Sequence, residues 1–215
     1  MEFPGLTENL VDLIRKKIII GEFEPGQKIN EIGLAKSMNI SRSPLREALR
    51  ILETEHLVSY TPRKGNSVST ISLEDLSEVY RIREMIECFA IDLLEEKQIQ
   101  AYENLALCLD RMVVLEAPPK SATSKEKLCY VETLAQFHLE MIKLTGNKRL
   151  IDSYMTIYFN INRYVFLYAF TKGAIEHSVE DHVQIVNYLK EGKYQKARQT
   201  VRDHVRRACE DCKRS

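Results

Sequence analysis

Glycine and proline are spread unevenly along this chain, and that unevenness limits its possible folds more than any other feature. Gly21, Pro25, Gly26, Gly33, Pro44, Pro62 and Gly65 all fall in the first 70 residues. After Ser72 the sequence runs in long helical periods, broken mainly near Ala117–Ala122, Gly146–Asn147, Lys172–Gly173 and Glu191–Gly192. Helix breakers at that density permit only short elements, whereas their scarcity further on permits helices of many turns. The expectation is a mainly α protein: a small domain over residues 1–71, then an all-helical domain of about six helices over residues 72–215. No internal repeat or low-complexity segment interrupts this plan.

Within the first domain, Thr7 can cap a helix whose apolar positions Leu10, Leu13, Ile14 and Ile18 recur at three and four. Pro25 and Gly26 suit a tight turn. Asn30 can cap a short second helix, Glu31 to Met38, with Ile32, Leu34 and Ala35 inward. Ser43 followed by Pro44 fits an N-cap with proline at the first helical position. The third helix then carries Leu45, Ala48, Leu49 and Leu52 inward. Arg46 and Arg50 share its outer face, and Arg42 stands at its entrance. Residues 58–71, with a Pro-Arg-Lys-Gly tip, read as a two-stranded hairpin.

Helix, helix, turn, helix and basic hairpin describe a winged helix-turn-helix. Such a unit inserts its recognition helix N-terminus first into the major groove, which would present Ser41, Arg42, Ser43 and Arg46. Arginine can grip guanine bidentately, and serine hydroxyls suit phosphate. Arg63 and Lys64, beside Gly65, could reach flanking backbone or the minor groove. The bland alternative is a solvated charged face on which Glu47 and Glu53 pair the arginines. Lysine plus arginine equals aspartate plus glutamate at 31 each, so any polyanion-binding patch has to be local.

The stretch IIIGEFEPGQKINEIGLAKSMNISRSPLREALRILETEHLVSYTPRKGNSV resembles the GntR family of bacterial transcription regulators. The matching motifs are G-x-hydrophobic-x-P-G, L-A, S-R-[ST]-P-hydrophobic-R-E-A-L and a G-x-x-V wing. The resemblance implies operator contact by Ser41, Arg42, Ser43 and Arg46, with Arg63, Lys64 and Gly65 on the wing tip. Lys36 is a weaker phosphate candidate. His56 departs from the pattern, because the family usually has glycine after the third helix.

Residues 73 to 208 resemble the ligand-sensing FCD domain of the FadR branch, through VYRIREMIE, FHLEMIKLTGN, DHVQIVNYLKEGKYQKA and DHVRRA. That resemblance implies homodimerisation and a small effector, often a carboxylic acid. It further implies a divalent metal held by one aspartate and three histidines. His138, His182 and His204 stand at the histidine positions, and neutral imidazoles suit zinc, nickel or a similar ion. Leu134 stands where the aspartate would be. The alternative is a polar cavity in which the histidines bind an anion without metal. Arg83 falls at a position resembling the family's pocket arginine. Arg163, with Asn160 about one turn before it, is a further effector candidate; the alternative for both Arg83 and Arg163 is an interhelical salt bridge to a partner such as Glu87 or Asp92. His177 reads as surface, and Tyr130 and Tyr164 read as core.

Cys209 and Cys212 form a lone C-x-x-C near the terminus, more readily two small helix residues than a redox or zinc pair. Cys88, Cys108 and Cys129 read as core. Five cysteines without a dense framework, no signal-like N-terminus and no uncharged span of membrane length lead to an expectation of a cytoplasmic protein with no membrane partner. Asp181 and Asp203 each adjoin a histidine, but adjacent helical residues do not share a face, so no general base is apparent. The expected function is therefore a metabolite-responsive regulator, a repressor in the family's commoner mode, and not an enzyme. It would bind double-stranded, palindromic operator DNA as a homodimer. A histidine-rich helical metalloenzyme or metal sensor is the runner-up, and a protein-binding winged helix a third reading.

Overall fold

The structure is a computed structural model that describes residues 5–115, 118–119, 121–168 and 176–214. It divides into two compact units between Ser72 and Leu73. The expected break at Lys172–Gly173 lies outside the described residues.

The first unit contains α1 (Leu6–Ile19), α2 (Glu31–Ser37), α3 (Arg42–Thr54), β1 (Val58–Thr61) and β2 (Gly65–Val68). Its core is formed by Leu10, Ile14 and Ile18 of α1 against Leu45, Ala48, Leu49 and Leu52 of α3, all buried. Leu13 and Ile32, expected inward, are exposed instead. Val11 and Ile19 complete the α1 face in their place, so the buried stripe is rotated slightly from the one the spacing suggested.

The caps differ from expectation in an informative way. Gly5, not Thr7, precedes α1, and its amide donates to the Glu8 carboxylate at 3.0 Å. Asn30 caps α2 as expected, accepting from the Gly33 amide at 3.0 Å. A Cβ on Gly33 would come within 3.0 Å of the Asn30 amide group, so glycine leaves room for this cap. Helix α3 starts two residues early: Ser41 is the cap and Arg42 the first helical residue. Pro44 is third, where a missing N–H is still costless because the first turn's amides have no intrahelical acceptor. His56, following the C-cap Glu55, adopts φ +57°. That is the left-handed closure that glycine supplies most easily.

Strands β1 and β2 pair antiparallel, Val58 opposite Val68 and Thr61 opposite Gly65. Gly65 has φ +82° at the tip, which a side chain would strain.

The second unit comprises six helices among the described residues: α4 (Leu73–Glu96), α5 (Glu103–Leu115), α6 (Ser124–Leu144), α7 (Lys148–Tyr168), α8 (Glu176–Lys190) and α9 (Tyr194–Lys213). A reciprocal capping box between Thr123 and Glu126 opens α6. Helix α4 packs on α9, α6 and α7, and α8 on α9 and α5. The apolar spacing of α4 predicts one inward stripe of Leu76, Val79, Ile82, Ile86, Phe89 and Leu93; Leu76, Val79 and Ile86 are buried, but Ile82 and Phe89 are exposed. Arg83 and Glu87 are buried on the inner face of that helix. Cys129 is also exposed, against its expected place in the core. No helix among the described residues is long and apolar enough to cross a membrane.

Candidate functional site

Helices α6, α8 and α9 bring His138, His182 and His204 together. One ligand-capable atom from each lies within 4.8 Å of the others, and all three residues are buried. The ring centroids are 4.7 to 5.1 Å apart. They share a small cavity of about 60 Å3 with Arg83, Leu134, Tyr154, Asp181 and Arg207.

Two carboxylates orient two of the rings. Glu87, one turn after Arg83 on α4, accepts from Arg83 Nε at 2.7 Å and from the Tyr154 hydroxyl at 3.3 Å. Its second oxygen lies 2.9 Å from His138 Nδ1. Arg83 holds the Glu87 carboxyl well below the usual carboxylate range, despite the burial that opposes it. An ionised carboxylate can only accept, so His138 Nδ1 carries the proton and its Nε2 presents a lone pair. Across α8 and α9 the same construction recurs. Asp181 accepts from Arg207 at 2.7 Å and lies 3.1 Å from His204 Nδ1. Burial would raise the Asp181 pKa, but His204 and Arg207 outweigh it and hold the carboxyl below its ordinary value. Guanidinium, carboxylate and imidazole thus follow one another twice, and each sequence points an Nε2 inward. Carboxylate–histidine pairs of this kind fix the tautomer of metal-ligating imidazoles.

His182 is held differently. Its ring packs on Phe137 with centroids 4.4 Å apart, its Nε2 lies 3.0 Å from His138 Nε2, and its buried Nδ1 has no hydrogen-bond partner among the described residues. Burial pushes the His138 imidazole down to about 4. Burial and the two neighbouring imidazoles push His182 well below its ordinary value. Both are neutral near pH 7, the form that ligates.

These residues fit a divalent transition metal. Imidazole nitrogens about 2.0–2.1 Å from zinc stand roughly 3.3 Å apart in a tetrahedron. The His138–His182 pair, at 3.0 Å, is close to that spacing, and one nitrogen of each of the three histidines lies within 4.8 Å of the others. Two facing lone pairs at 3.0 Å need a proton or a cation between them. Leu134 lies one turn before His138 on the same face and lines the cavity. Among the described residues no carboxylate or thiol joins the three-histidine group. Cys212 borders the cavity, but burial pushes its thiol up to about 11. It stays protonated.

The sequence pointed to the histidines and Arg83 and offered Glu87 only as a salt-bridge partner; it gave no role to Asp181 and none to Glu87 beside a histidine. Arg83 pairs with Glu87 within one helix, not between helices. Asp181 serves His204 rather than its sequence neighbour His182; the i, i+4 spacing of Arg83 and Glu87 was the available signal for the first pair. Asn160 and Arg163 are buried on α7 but lie outside this cavity's lining, to which α7 gives Tyr154, Ile161 and Val165. Tyr130 and Tyr164 are core residues. His177 stands at the cavity mouth, its side chain mostly exposed.

In the first unit, Ser41, Arg42, Ser43, Arg46 and Arg50 form an exposed row along the start of α3, and Arg63 and Lys64 are exposed at the hairpin tip. Glu47 and Glu53 do not pair the arginines. Instead Glu31 of α2 accepts from Arg46 Nε at 2.8 Å and lies 3.9 Å from Arg42. Its other oxygen accepts from Asn66 of the hairpin at 3.0 Å. One carboxylate therefore ties α2, α3 and the wing together, while Arg46 remains 57% exposed at its side chain.

Comparison with known proteins supplies the context for both sites. Residues 78–207 match the FCD domain model, and residues 6–68 match the model for bacterial regulatory proteins of the gntR family. An uncharacterised HTH-type transcriptional regulator of Bacillus subtilis, YdhC, is 28% identical over 93% of this chain and 88% of its own length. The Nta operon transcriptional regulator of Aminobacter aminovorans is 26% identical over 86% and 84%. The solved structure of Escherichia coli McbR/YncC superposes with a TM-score of 0.77 at 18% identity, covering 99% of both chains. That last likeness concerns the fold.

Proposed function

We propose, for a chain that belongs to the GntR family of bacterial regulatory proteins and carries an FCD domain, a metabolite-responsive repressor that binds a palindromic operator as a homodimer. The chain is a transcriptional regulator and not an enzyme, as its family and relatives indicate. The observation that carries the operator reading is the exposed row Ser41, Arg42, Ser43 and Arg46 at the N-terminal end of α3, beside a basic wing. Glu31 engages Arg46 through Nε, which leaves the terminal guanidinium nitrogens available for a guanine edge. Arg63, Lys64 and Gly65 contribute wing contacts to the flanking backbone.

The homodimer reading is supported by Ile82, Met85 and Phe89, an exposed apolar row on α4 at 42, 64 and 46%. Rows of this kind mark association surfaces more often than isolated exposed residues do. In the second unit, His138, His182 and His204 would hold zinc or nickel, and a small carboxylate effector would bind in the same cavity. When bound, the metal supplies a Lewis-acidic anchor. Arg83 and Arg207 keep the orienting carboxylates ionised and add positive potential at the cavity. Arg163 and Asn160 act on the effector only if α7 rearranges around it. The effector alters DNA affinity by favouring one of two states of the protein. The protein is cytoplasmic on this reading.

The test is selection of duplexes from a randomised library by the purified protein. Enrichment of a two-fold symmetric site, bound with steep salt dependence and lost in Arg46→Ala, is expected. No enrichment, or an operator affinity indifferent to Arg42 and Arg46, would overturn the assignment.

A further inference from the structure

We propose that the groove between α4 and α9 binds a diphosphate group, which gives the helical unit a second ligand site. The groove has a volume of about 700 Å3 and shares no lining residue with the histidine cavity. That volume lies within the range of small-molecule sites, about 300–1,000 Å3. Arg198, Arg202 and Arg206 recur at every fourth residue of α9, which sets their side chains on one face at a rise of about 6 Å each. Arg81 of α4 lines the same groove, and two carboxylates of α4 face the arginines, Glu84 and Asp92. Four guanidiniums against two carboxylates leave two positive charges in excess.

The pairing inside the groove is incomplete. Glu84 accepts from Arg206 Nε at 2.9 Å and from its Nη2 at 2.8 Å, so both of its oxygens are engaged. Arg202 Nε stands 3.4 Å from the same carboxylate, and Arg198 Nε 3.3 Å from Asp92. Both Nε atoms are shielded from solvent, yet neither makes a hydrogen bond among the described residues. A shielded donor without an acceptor is costly. A monocarboxylate ligand would only repeat the groups already present. A phosphoryl group brings more charge and three oxygens, and arginine forks bind it bidentately. Two linked phosphoryl groups engage two successive arginines of the ladder, which a single one does not. Met85 and Phe89 form an apolar edge that the groove shares with the proposed dimer surface; the anion's contacts come from α9 and Arg81 and not from that edge. Helices α4 and α9 also carry Arg83, Glu87 and His204, so a ligand that draws the two helices together bears on the histidine cavity as well.

Inorganic diphosphate is the probe, titrated calorimetrically into full-length protein that has been stripped of metal by a chelator, itself then removed. Saturable binding of one diphosphate per chain is expected, at least about tenfold tighter than sulfate or citrate. The double variant Arg202→Gln/Arg206→Gln should lose at least about tenfold in affinity, the scale of one charge-assisted hydrogen bond. Glu84→Gln should gain severalfold, because it removes the competing carboxylate. His182→Ala and Arg46→Ala should bind as the wild type does, which separates the groove from the histidine cavity and from the arginine row of α3.

Absence of saturable binding by the wild type at millimolar diphosphate overturns the site. Citrate or sulfate held as tightly as diphosphate overturns the choice of ligand. Full affinity in the double variant, or a loss in His182→Ala or Arg46→Ala, overturns the placement in this groove. If the double variant fails to fold by circular dichroism, Glu84→Gln decides alone, and an affinity unchanged or lowered there overturns the proposal.

Discussion

Two pairs of guanidinium and carboxylate, Arg83 with Glu87 in the helical unit and Arg46 with Glu31 in the winged unit, sit at nearly the same distance, 2.7 and 2.8 Å, yet do different work. The first is almost wholly buried, and Glu87 goes on to orient His138. The second is exposed on the arginine side, and Arg46 keeps most of its hydrogen-bonding edge toward solvent. Burial makes the first pair part of the scaffold, since neither charge can be left without the other. Exposure makes the second pair a presented group, whose main partner is another molecule. The same chemistry therefore predicts opposite sensitivities.

The largest effect should come from Glu87→Ala, which strands Arg83 in the core and unties His138. A loss of about 3–5 kcal/mol in the urea unfolding of the helical unit is expected. A loss under about 1 kcal/mol would show that water enters the cavity freely and that the contrast with α3 is false.

Acid should produce the next largest effect, again in the helical unit. His138 has a folded value near 4 against 6.5 when free, so the unfolded chain takes up the proton first. Stability of the metal-free protein is then complete above pH 6.5 and is lost as pH falls toward 4, by roughly 2–3 kcal/mol for this one group. Glu87 and Asp181, both lowered, add losses of the same sign at still lower pH. Urea midpoints from pH 7.5 to 4 check this, and a flat profile would mean that His138 is solvated.

Arg46→Ala reverses the pattern. Unfolding should change by no more than about 0.5 kcal/mol, as for most exposed positions. Operator affinity should fall by about 1–3 kcal/mol at the contacted base, and the salt slope by about one if a phosphate contact is also lost. Affinity and unfolding measured on one preparation separate the two consequences.

The contrast also explains what could be read from sequence. The winged unit was legible because its signals are local: Asn30 before α2, the apolar spacing of Leu45, Ala48, Leu49 and Leu52, and a basic turn between short strands. Its arginine row needs only exposure, which one helix determines. The three histidines were legible through family positions, but their orientation was not. Asp181 meets His204 across two helices, and a rule about adjacent residues on one helix cannot see that partner. The α4 stripe was misjudged for a related reason. Hydrophobic spacing favoured Ile82 and Phe89, yet the inner face carries Arg83 and Glu87, since a fully paired charge can be buried. Tertiary partners decided which face turned inward, and they lie 51 and more residues away in the chain.

Glu31→Gln probes the exposed pair most finely. The carboxylate both fixes Arg46 and places a negative charge beside the surface that meets phosphate. Removing the charge should strengthen binding to arbitrary duplexes by up to about 1 kcal/mol, the scale of an exposed ion pair. The neutral amide holds Arg46 less firmly, so operator affinity should rise less or fall slightly. The ratio of operator to arbitrary affinity is then expected to drop severalfold, while unfolding moves little. Competition titrations at one fixed salt concentration measure that ratio directly. A ratio unchanged beside a uniform gain would mean that Glu31 contributes only charge, and that Arg46 is positioned by the groove it enters.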